Sequence, residues 1–300
     1  MNNMTQAKPF IKWAGGKTQL LEEIRKRYPS HIEKYCEPFV GGGAVLFDIL
    51  NKKAPSSILI NDINKDLINL YFQVKNNCNL LIEHLTELHN LYKNQRLEEN
   101  RKLFYEKRKR FNEIELDDSY RDDNGKNLEK AALFIFLNKT CYNGLYRVNS
   151  KGFFNVPYNN ATNPLFFDKD NLLACSALLQ NVEMTACNYQ SCKRFIDDKT
   201  FVYLDPPYRP ISKTARFTSY SRNGFSDRDQ LDLATFINEL ANKGAMILLS
   251  NSDPKNENTD DTFFDFLYSN FKICRVSATR MINSDATKRS ATSELLISNI

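Results

Sequence analysis

Residues 34–62 and 201–249 each alternate short apolar or β-branched runs with a helical segment, and a helical stretch, 66–138, separates them. Strand, glycine-rich turn, helix, strand, acid is the grammar of a doubly wound α/β sheet with mostly parallel strands. In the first stretch Glu37-Pro38-Phe39-Val40 runs into Gly41-Gly42-Gly43, and Ala44 to Leu50 reads as a helix. Ser57 to Ile60 is then a strand that delivers Asn61-Asp62 at its C-terminal end. In the second, Phe201 to Leu204 ends in Asp205-Pro206-Pro207-Tyr208, Leu231 to Leu240 is a helix, and Ala245 to Leu249 ends in Ser250-Asn251. Ile273 to Val276 and Glu294 to Ser298 suit an antiparallel edge hairpin. Near the N-terminus, Thr18 to Tyr28 reads as an amphipathic helix capped by Thr18 and stopped at Pro29.

The middle of the chain has a different period. Leu67, Leu70, Tyr71 and Val74 recur at helical spacing, as do Leu80, Leu81, Leu85 and Leu88. Asp117 to Asn127 is polar and reads as a loop, and Leu128 to Leu137 as a strongly apolar helix. The basic run from Arg101 to Arg110 is interleaved with Glu98, Glu99 and Glu106, so it reads mainly as a solvated helix face. The expected organisation is therefore one split α/β domain, 1–64 with 166–300, carrying a helical insert at 65–165.

Composition excludes several classes. Three hundred residues suffice for one large α/β domain with an insert. The 26% charged and 42% hydrophobic content is that of an ordinary globular chain. The longest apolar run, Ala131 to Leu137, is too short to span a bilayer, and the start lacks the pattern of a signal peptide. Seven scattered Cys without a Cys-x-x-Cys pair, and three His, give no metal signature and read as reduced thiols of a cytoplasmic protein. A net charge of +5 permits a polyanionic partner. The basic residues gather after the tetrapeptide (Arg209, Lys213, Arg216, Arg222, Arg228) and in the C-terminal part (Arg275, Arg280, Lys288, Arg289), as a basic groove would require.

Chemistry concentrates at the strand ends. A glycine-rich turn lets a ligand approach the backbone, and an acid about 20 residues on can accept both hydroxyls of a ribose. The third glycine of the dinucleotide fingerprint is replaced by Leu46, so a nucleoside cofactor without a pyrophosphate, such as S-adenosylmethionine, fits better than NAD. Gly16-Lys17-Thr18 imitates the tail of a phosphate-binding loop, but Ile11 stands where its first glycine belongs. A lysine near a helix start suits a ligand carboxylate instead. In Asp205-Pro206-Pro207-Tyr208 two prolines fix an acid, a carbonyl and an aromatic ring relative to one another. Asp205 and the Pro206 carbonyl are acceptors for an exocyclic amino group, and Tyr208 can stack on the base that carries it.

These motifs, with Lys12 to Lys17, Asn143 to Asn149, Phe154 to Tyr158, Phe217 to Tyr220 and Ser293 to Leu296, occur in an order that resembles the Dam-type DNA adenine-N6 methyltransferases (D12 class, group alpha). The chain looks most like members that modify GATC. The resemblance covers nearly all of it except Leu91 to Asn127, and Asn159-Asn160 departs from the family's usual glycine.

The resemblance implies transfer of a methyl group from S-adenosylmethionine, without a metal, to N6 of a flipped-out adenine. It assigns catalysis to Asp205, Pro206 and Tyr208. Cofactor binding falls to Trp13, Lys17, Glu37, Phe39, Gly41, Asp62 and Asp205. The insert becomes the target-recognition domain: Arg147 and Lys12 read guanines, Leu145 and Pro157 touch the remaining bases, and Tyr142 with Asn143 occupies the step opened by flipping. The implied partner is double-stranded DNA, joined by a restriction endonuclease of the same site where the enzyme belongs to such a system. Rival readings are a methyltransferase for cytosine N4, RNA adenine or a protein glutamine, and a catalytically silent DNA-binding relative. No Pro-Cys occurs, which argues against cytosine C5 chemistry.

Overall fold

The computed structural model describes residues 5–117, 120, 125–160, 162, 164–209, 225–278 and 292–300. Its elements, in chain order, begin with α1 (Leu21–Arg25), β1 (Lys34–Glu37), α2 (Ala44–Lys52), β2 (Ser57–Asn61), α3 (Lys65–Asn76), α4 (Cys78–Lys93), α5 (Leu97–Glu113) and α6 (Lys126–Thr140). Then follow α7 (Lys169–Leu179), β3 (Val182–Thr185), β4 (Thr200–Leu204), α8 (Asp227–Asn242), β5 (Met246–Ser252), α9 (Phe263–Leu267), β6 (Lys272–Ala278) and β7 (Thr292–Ser298). The chain divides into two compact units: 1–16, 41–52 and 62–187 form one, and 17–40, 53–61 and 188–300 the other. Among the described residues no helix is long and apolar enough to cross a membrane.

The second unit carries the expected mostly parallel sheet. Its strands run β2-β1-β4-β5-β7-β6. The first four are parallel, in registers such as Cys36↔Leu59, Cys36↔Val202 and Leu204↔Leu249. All five residues of β4 are buried, as an inner parallel strand covered on both faces must be. β7 then enters antiparallel, Ser250↔Leu296 and Ser252↔Glu294, and pairs antiparallel with β6, which is the edge hairpin read from the sequence. Leu233, Ile237 and Leu240 of α8 share one buried cluster with Val202, Leu204, Ile247 and Leu249. A capping box starts α8: the Ser226 hydroxyl accepts the Asp229 amide, and Asp229 accepts the Ser226 amide at 2.7 Å.

In the first unit α6 is buried on nearly every side and packs against α3, α4 and α5. A helix apolar all round must be central. Its one buried cation, Lys130, is compensated by the Asp66 carboxylate at 3.2 Å and the Ile114 carbonyl at 2.7 Å. Asn64 caps α3 by accepting the Leu67 amide.

Several sequence readings need correction. The helix read from Thr18 is a 3-10 turn, Lys17–Leu20, followed by the five residues of α1, and no side chain caps it. The chain reaches Lys17 through a tight turn, Gly16 N–H to the Trp13 carbonyl with Gly15 at φ +75, so no extended residue stands where Thr18 would cap. In α4 Leu80 is exposed, and Ile82 joins Leu81 and Leu85 in the buried stripe. Leu91 to Asn127, where little was recognisable, contains α5, which buries Leu103, Phe104 and Phe111. Its basic face is solvated as read, with Arg101, Lys102, Lys109 and Arg110 exposed, while Arg110 also pairs with Glu129 and Arg108 donates to the Val156 carbonyl.

Candidate active site and DNA-reading loop

In the second unit the topological reversal falls between β1 and β4, the place where α/β sheets bind ligands beyond their strand ends. Asp205 follows β4 there. Its Oδ2 lies 2.8 Å from Lys17 Nζ, and its Oδ1 accepts the Ser250 hydroxyl at 3.0 Å. Because Ser250 spends its proton on Asp205, the Tyr203 hydroxyl donates to Ser250 at 2.9 Å. Burial pushes the Asp205 carboxyl above the ordinary range, while the Lys17 ammonium pulls it back down. Lys17 is only 4% exposed, and its ammonium also sits 4.7 Å from the centre of the Tyr208 ring. Tyr208 donates its hydroxyl to Glu294 Oε2 at 2.6 Å, and the Pro207 carbonyl accepts from Gln230. An acceptor-only carboxylate, a proline-stiffened turn and an oriented ring therefore stand together at this edge.

Glu37, expected at the cofactor, is buried at the end of β1 and accepts the Tyr35 hydroxyl at 2.7 Å. Phe39 packs against Tyr189 and Phe225. The basic groove is only partly described: Lys213, Arg216, Arg222, Arg280, Lys288, Arg289 and the Phe217–Tyr220 motif lie outside the described residues. Arg209 pairs with Asp227 and Asp261, and Arg275 with Asp253 and Asp265, so these two cations serve the fold.

In the first unit the glycine turn meets Trp13. A Cβ on Gly41, whose φ is +48, would come within 2.7 Å of the Trp13 indole nitrogen, and one on Gly42 within 2.8 Å of Trp13 Cβ. Thus Trp13 takes the room that the missing side chains leave. The Trp13 ring stacks on Tyr146 at 6.0 Å, and Tyr146 stacks on Phe134 at 5.2 Å. Asp62 is half-buried, and it accepts the Gly41 amide at 3.1 Å and the Asn64 amide at 3.0 Å. Burial outweighs these bonds and pushes the Asp62 carboxyl up to about 6.

The same unit gathers the residues expected to read DNA. Residues 141–158 fold back on themselves through bridges Cys141↔Tyr158 and Val148↔Phe154, and the Tyr142 amide donates to the Pro157 carbonyl. Tyr142 (54% exposed), Asn143 and Pro157 are exposed, while Leu145 and Arg147 are half-buried. Asn143 adopts φ +55, an uncommon conformation that Asn tolerates better than most residues. The Arg147 Nε donates to Asn155 Oδ1 at 2.8 Å, which fixes the plane of the guanidinium fork. Lys12 is held beside this loop by a residue that sequence reasoning missed. The Asn138 side chain accepts the Lys12 amide at 2.9 Å and donates to the carbonyls of Lys12 and Gly144, both at 2.8 Å. Only its place at the end of an apolar helix hinted at such a role. Among the described residues no group of His, Cys, Asp and Glu is placed to hold a metal ion.

Comparison with known proteins adds to this geometry. The family model of the D12 class N6 adenine-specific DNA methyltransferases matches residues 13–282. The chain is 45% identical to the type II methyltransferase M.MjaIII of Methanocaldococcus jannaschii, covering 98% of this chain and 99% of that protein. It is 37% identical to the type II methyltransferase M1.LlaDCHI of Lactococcus lactis subsp. cremoris, over 99% and 97% of the two chains. It is 34% identical to the DNA adenine methylase of Escherichia coli K12, over 98% and 95%. With an acceptor carboxylate and an aromatic ring at the carboxyl edge of a mostly parallel sheet, and a family match along nearly its whole length, the chain belongs to the D12 class of N6 adenine-specific DNA methyltransferases.

Proposed function

We propose that the enzyme moves the methyl group of S-adenosylmethionine to N6 of an adenine rotated out of duplex DNA, within the site GATC. The observation that carries this reading is Asp205, 2.8 Å from the Lys17 ammonium and fixed by the two prolines next to Tyr208. The cofactor supplies a methyl group bonded to a positively charged sulfur. The residues do the rest. The adenine amino nitrogen is a poor nucleophile because its lone pair is delocalised into the ring. Asp205 and the Pro206 carbonyl accept its N–H bonds, draw it toward tetrahedral geometry and localise that pair. The nitrogen bonds the methyl carbon as the carbon–sulfur bond breaks with its electron pair left on sulfur, and it loses one proton, which Asp205 receives and passes to solvent. Tyr208 stacks on the base, worth about 1–3 kcal/mol, which offsets part of the few kcal/mol needed to unstack it.

The acceptor chemistry at Asp62 fits a ribose. Its two oxygens hold roughly four acceptor sites, more than the Gly41, Ile63 and Asn64 amides use, and a ribose hydroxyl is the complementary group. Lys17 brings three N–H donors, so one ammonium can serve Asp205 and a cofactor carboxylate together. Trp13 contributes an aromatic face, and the Gly41 turn passes beside it. If the ionised Asp62 is the ribose acceptor, S-adenosylmethionine affinity should fall about tenfold per pH unit below about 6. Asp62→Ala should bind the cofactor more weakly and show no such limb. Calorimetric titration between pH 5 and 8, about the range in which Asp62 titrates, checks both.

We assign target recognition to 65–165, with Arg147 as bidentate reader of guanine O6 and N7. Lys12 reads the second guanine, Leu145 and Pro157 contact the remaining bases, and Tyr142 and Asn143 fill the opened step. Arg147→Ala should reduce discrimination between the cognate duplex and one-base variants by about tenfold to a hundredfold, since a bidentate contact is worth about 1–3 kcal/mol. Non-specific affinity should change little, and competition binding at fixed salt measures the two separately. GATC is supported by the likeness of residues 143–149 and 154–158 to members that modify it. A plasmid treated with enzyme and S-adenosylmethionine should resist a GATC nuclease that adenine methylation blocks. Complete cutting of DNA that has nonetheless taken up labelled methyl groups excludes GATC and keeps the chemistry. The type II names of the relatives at 45% and 37% identity support a cognate restriction endonuclease as partner, and membership of a DNA methyltransferase family supports action on cytoplasmic DNA.

A further inference from the structure

We propose that Glu294 is a positioning residue for methyl transfer: its carboxylate orients the Tyr208 ring and enriches it with electron density as the adenine nitrogen becomes cationic. This inference rests on the reading that Tyr208 faces the target base.

Topology brings the pair together. In a parallel sheet every strand presents its C-terminal end at the ligand edge. β7 alone among the neighbours of β5 runs the other way, so its first residues arrive at that same edge. Glu294 pairs in register with Ser252 of β5 and Val276 of β6, near the end where β4 releases Asp205 and Tyr208. Eighty-six residues separate Glu294 from Tyr208 along the chain, yet Glu294 Oε2 takes the Tyr208 hydroxyl at 2.6 Å, within the range of a charge-assisted bond.

The pair has two consequences. Held at its hydroxyl by β7 and at its backbone by Pro206-Pro207, the ring has a fixed plane. Stacking energy is then available without ordering the ring during the reaction. A phenol that donates to a carboxylate also carries a more negative ring face, which attracts cations more strongly. One face of Tyr208 already holds the Lys17 ammonium at 4.7 Å. When N6 attacks the methyl carbon, the amino nitrogen acquires positive charge beside the ring. Glu294 therefore favours the charged transition state over the neutral bound base, and its effect belongs in kcat rather than in KM.

Two isosteric variants and their combination test this. Glu294→Gln keeps the size and removes the charge, and Tyr208→Phe removes the hydroxyl from the other side. Single-turnover methylation of an adenine duplex should fall roughly tenfold in each, and KM for DNA should hold within about twofold. Because both remove one hydrogen bond, the double variant should be no slower than the slower single variant. With 2-aminopurine at the target position, the fluorescence of the flipped base in the Glu294→Gln complex should differ from that of the unaltered enzyme, since the stacked ring quenches it. Multiplicative losses in the double variant, or a Glu294→Gln rate equal to that of the unaltered enzyme, would overturn the proposal. Failure of the unaltered enzyme to methylate adenine would instead overturn the reading on which it rests. Thermal melts of all four proteins establish that the rates compare folded enzymes.

Discussion

Asp205→Asn is expected to lower the single-turnover rate of adenine methylation by about a thousandfold while leaving the protein folded. Asparagine has nearly the same shape. Its carbonyl can take the Lys17 ammonium now held at 2.8 Å, and its amide can face the Ser250 oxygen now at 3.0 Å. What it cannot do is accept from every direction. A carboxylate offers acceptors alone, whereas the amide places a donor where the adenine amino group also brings donors. Asp205→Ala should be equally inactive and also less stable. It leaves the Lys17 ammonium, 4% exposed, without its carboxylate, and breaking such a pair costs about 3–5 kcal/mol. Comparing rates and denaturant midpoints of the two variants separates catalysis from folding. An Asn variant that retains more than about a tenth of the rate would remove Asp205 from the mechanism.

Much of this site is legible in the sequence. β4 and β5 announce themselves as unbroken apolar runs because both their faces are buried, and the tetrapeptide is contiguous. The antiparallel hairpin was readable as two short runs, Ile273 to Val276 and Glu294 to Ser298, close to the end of the sheet. The partners of the tetrapeptide were not readable in the same way. Ser250 stood at the end of a recognised strand, but its hydroxyl meets Asp205 across 45 residues of chain. Asn138 reaches Lys12 across 126. Single polar residues at such separations leave no periodic trace, since their role is fixed by tertiary packing. The glycine turn shows the opposite failure. Its pattern was plain, but sequence gives no means of knowing that the Trp13 indole would fill the space above Gly41 and Gly42. The N-terminal segment departs from its helical pattern for a local reason, because the tight turn at 13–16 feeds a 3-10 turn and leaves Thr18 no capping geometry.

Lys17→Met should produce the second large effect, and the form of its pH dependence decides what the lysine does. At neutral pH the single-turnover rate should fall on the order of a hundredfold. Asp205 faces Lys17 from the turn before α1, Glu294 from β7, the Tyr203 and Ser250 hydroxyls from β4 and β5, and its neighbour Tyr208. Lys17 is the cation of this group. Burial and the Glu294 charge both push the Asp205 carboxyl up, and Lys17 opposes them. The sign follows directly. Without the ammonium the carboxyl rises further, more of it is protonated at neutral pH, and fewer molecules present an acceptor to the adenine amino group. The acid limb of the rate profile therefore moves to higher pH, and alkaline buffer restores much of the lost rate. Methionine fills the buried channel of the lysine stem, so the fold survives the change. If Lys17 served only the methionine carboxylate of the cofactor, the variant would bind S-adenosylmethionine more weakly, recover at saturating cofactor, and keep its acid limb in place. Rate profiles from pH 6 to 9, roughly the interval that brackets neutrality, taken at saturating cofactor and paired with a direct cofactor titration, separate the two. A limb that stays in place in Lys17→Met would show that the 2.8 Å contact with Asp205 does not set the ionisation on which transfer depends.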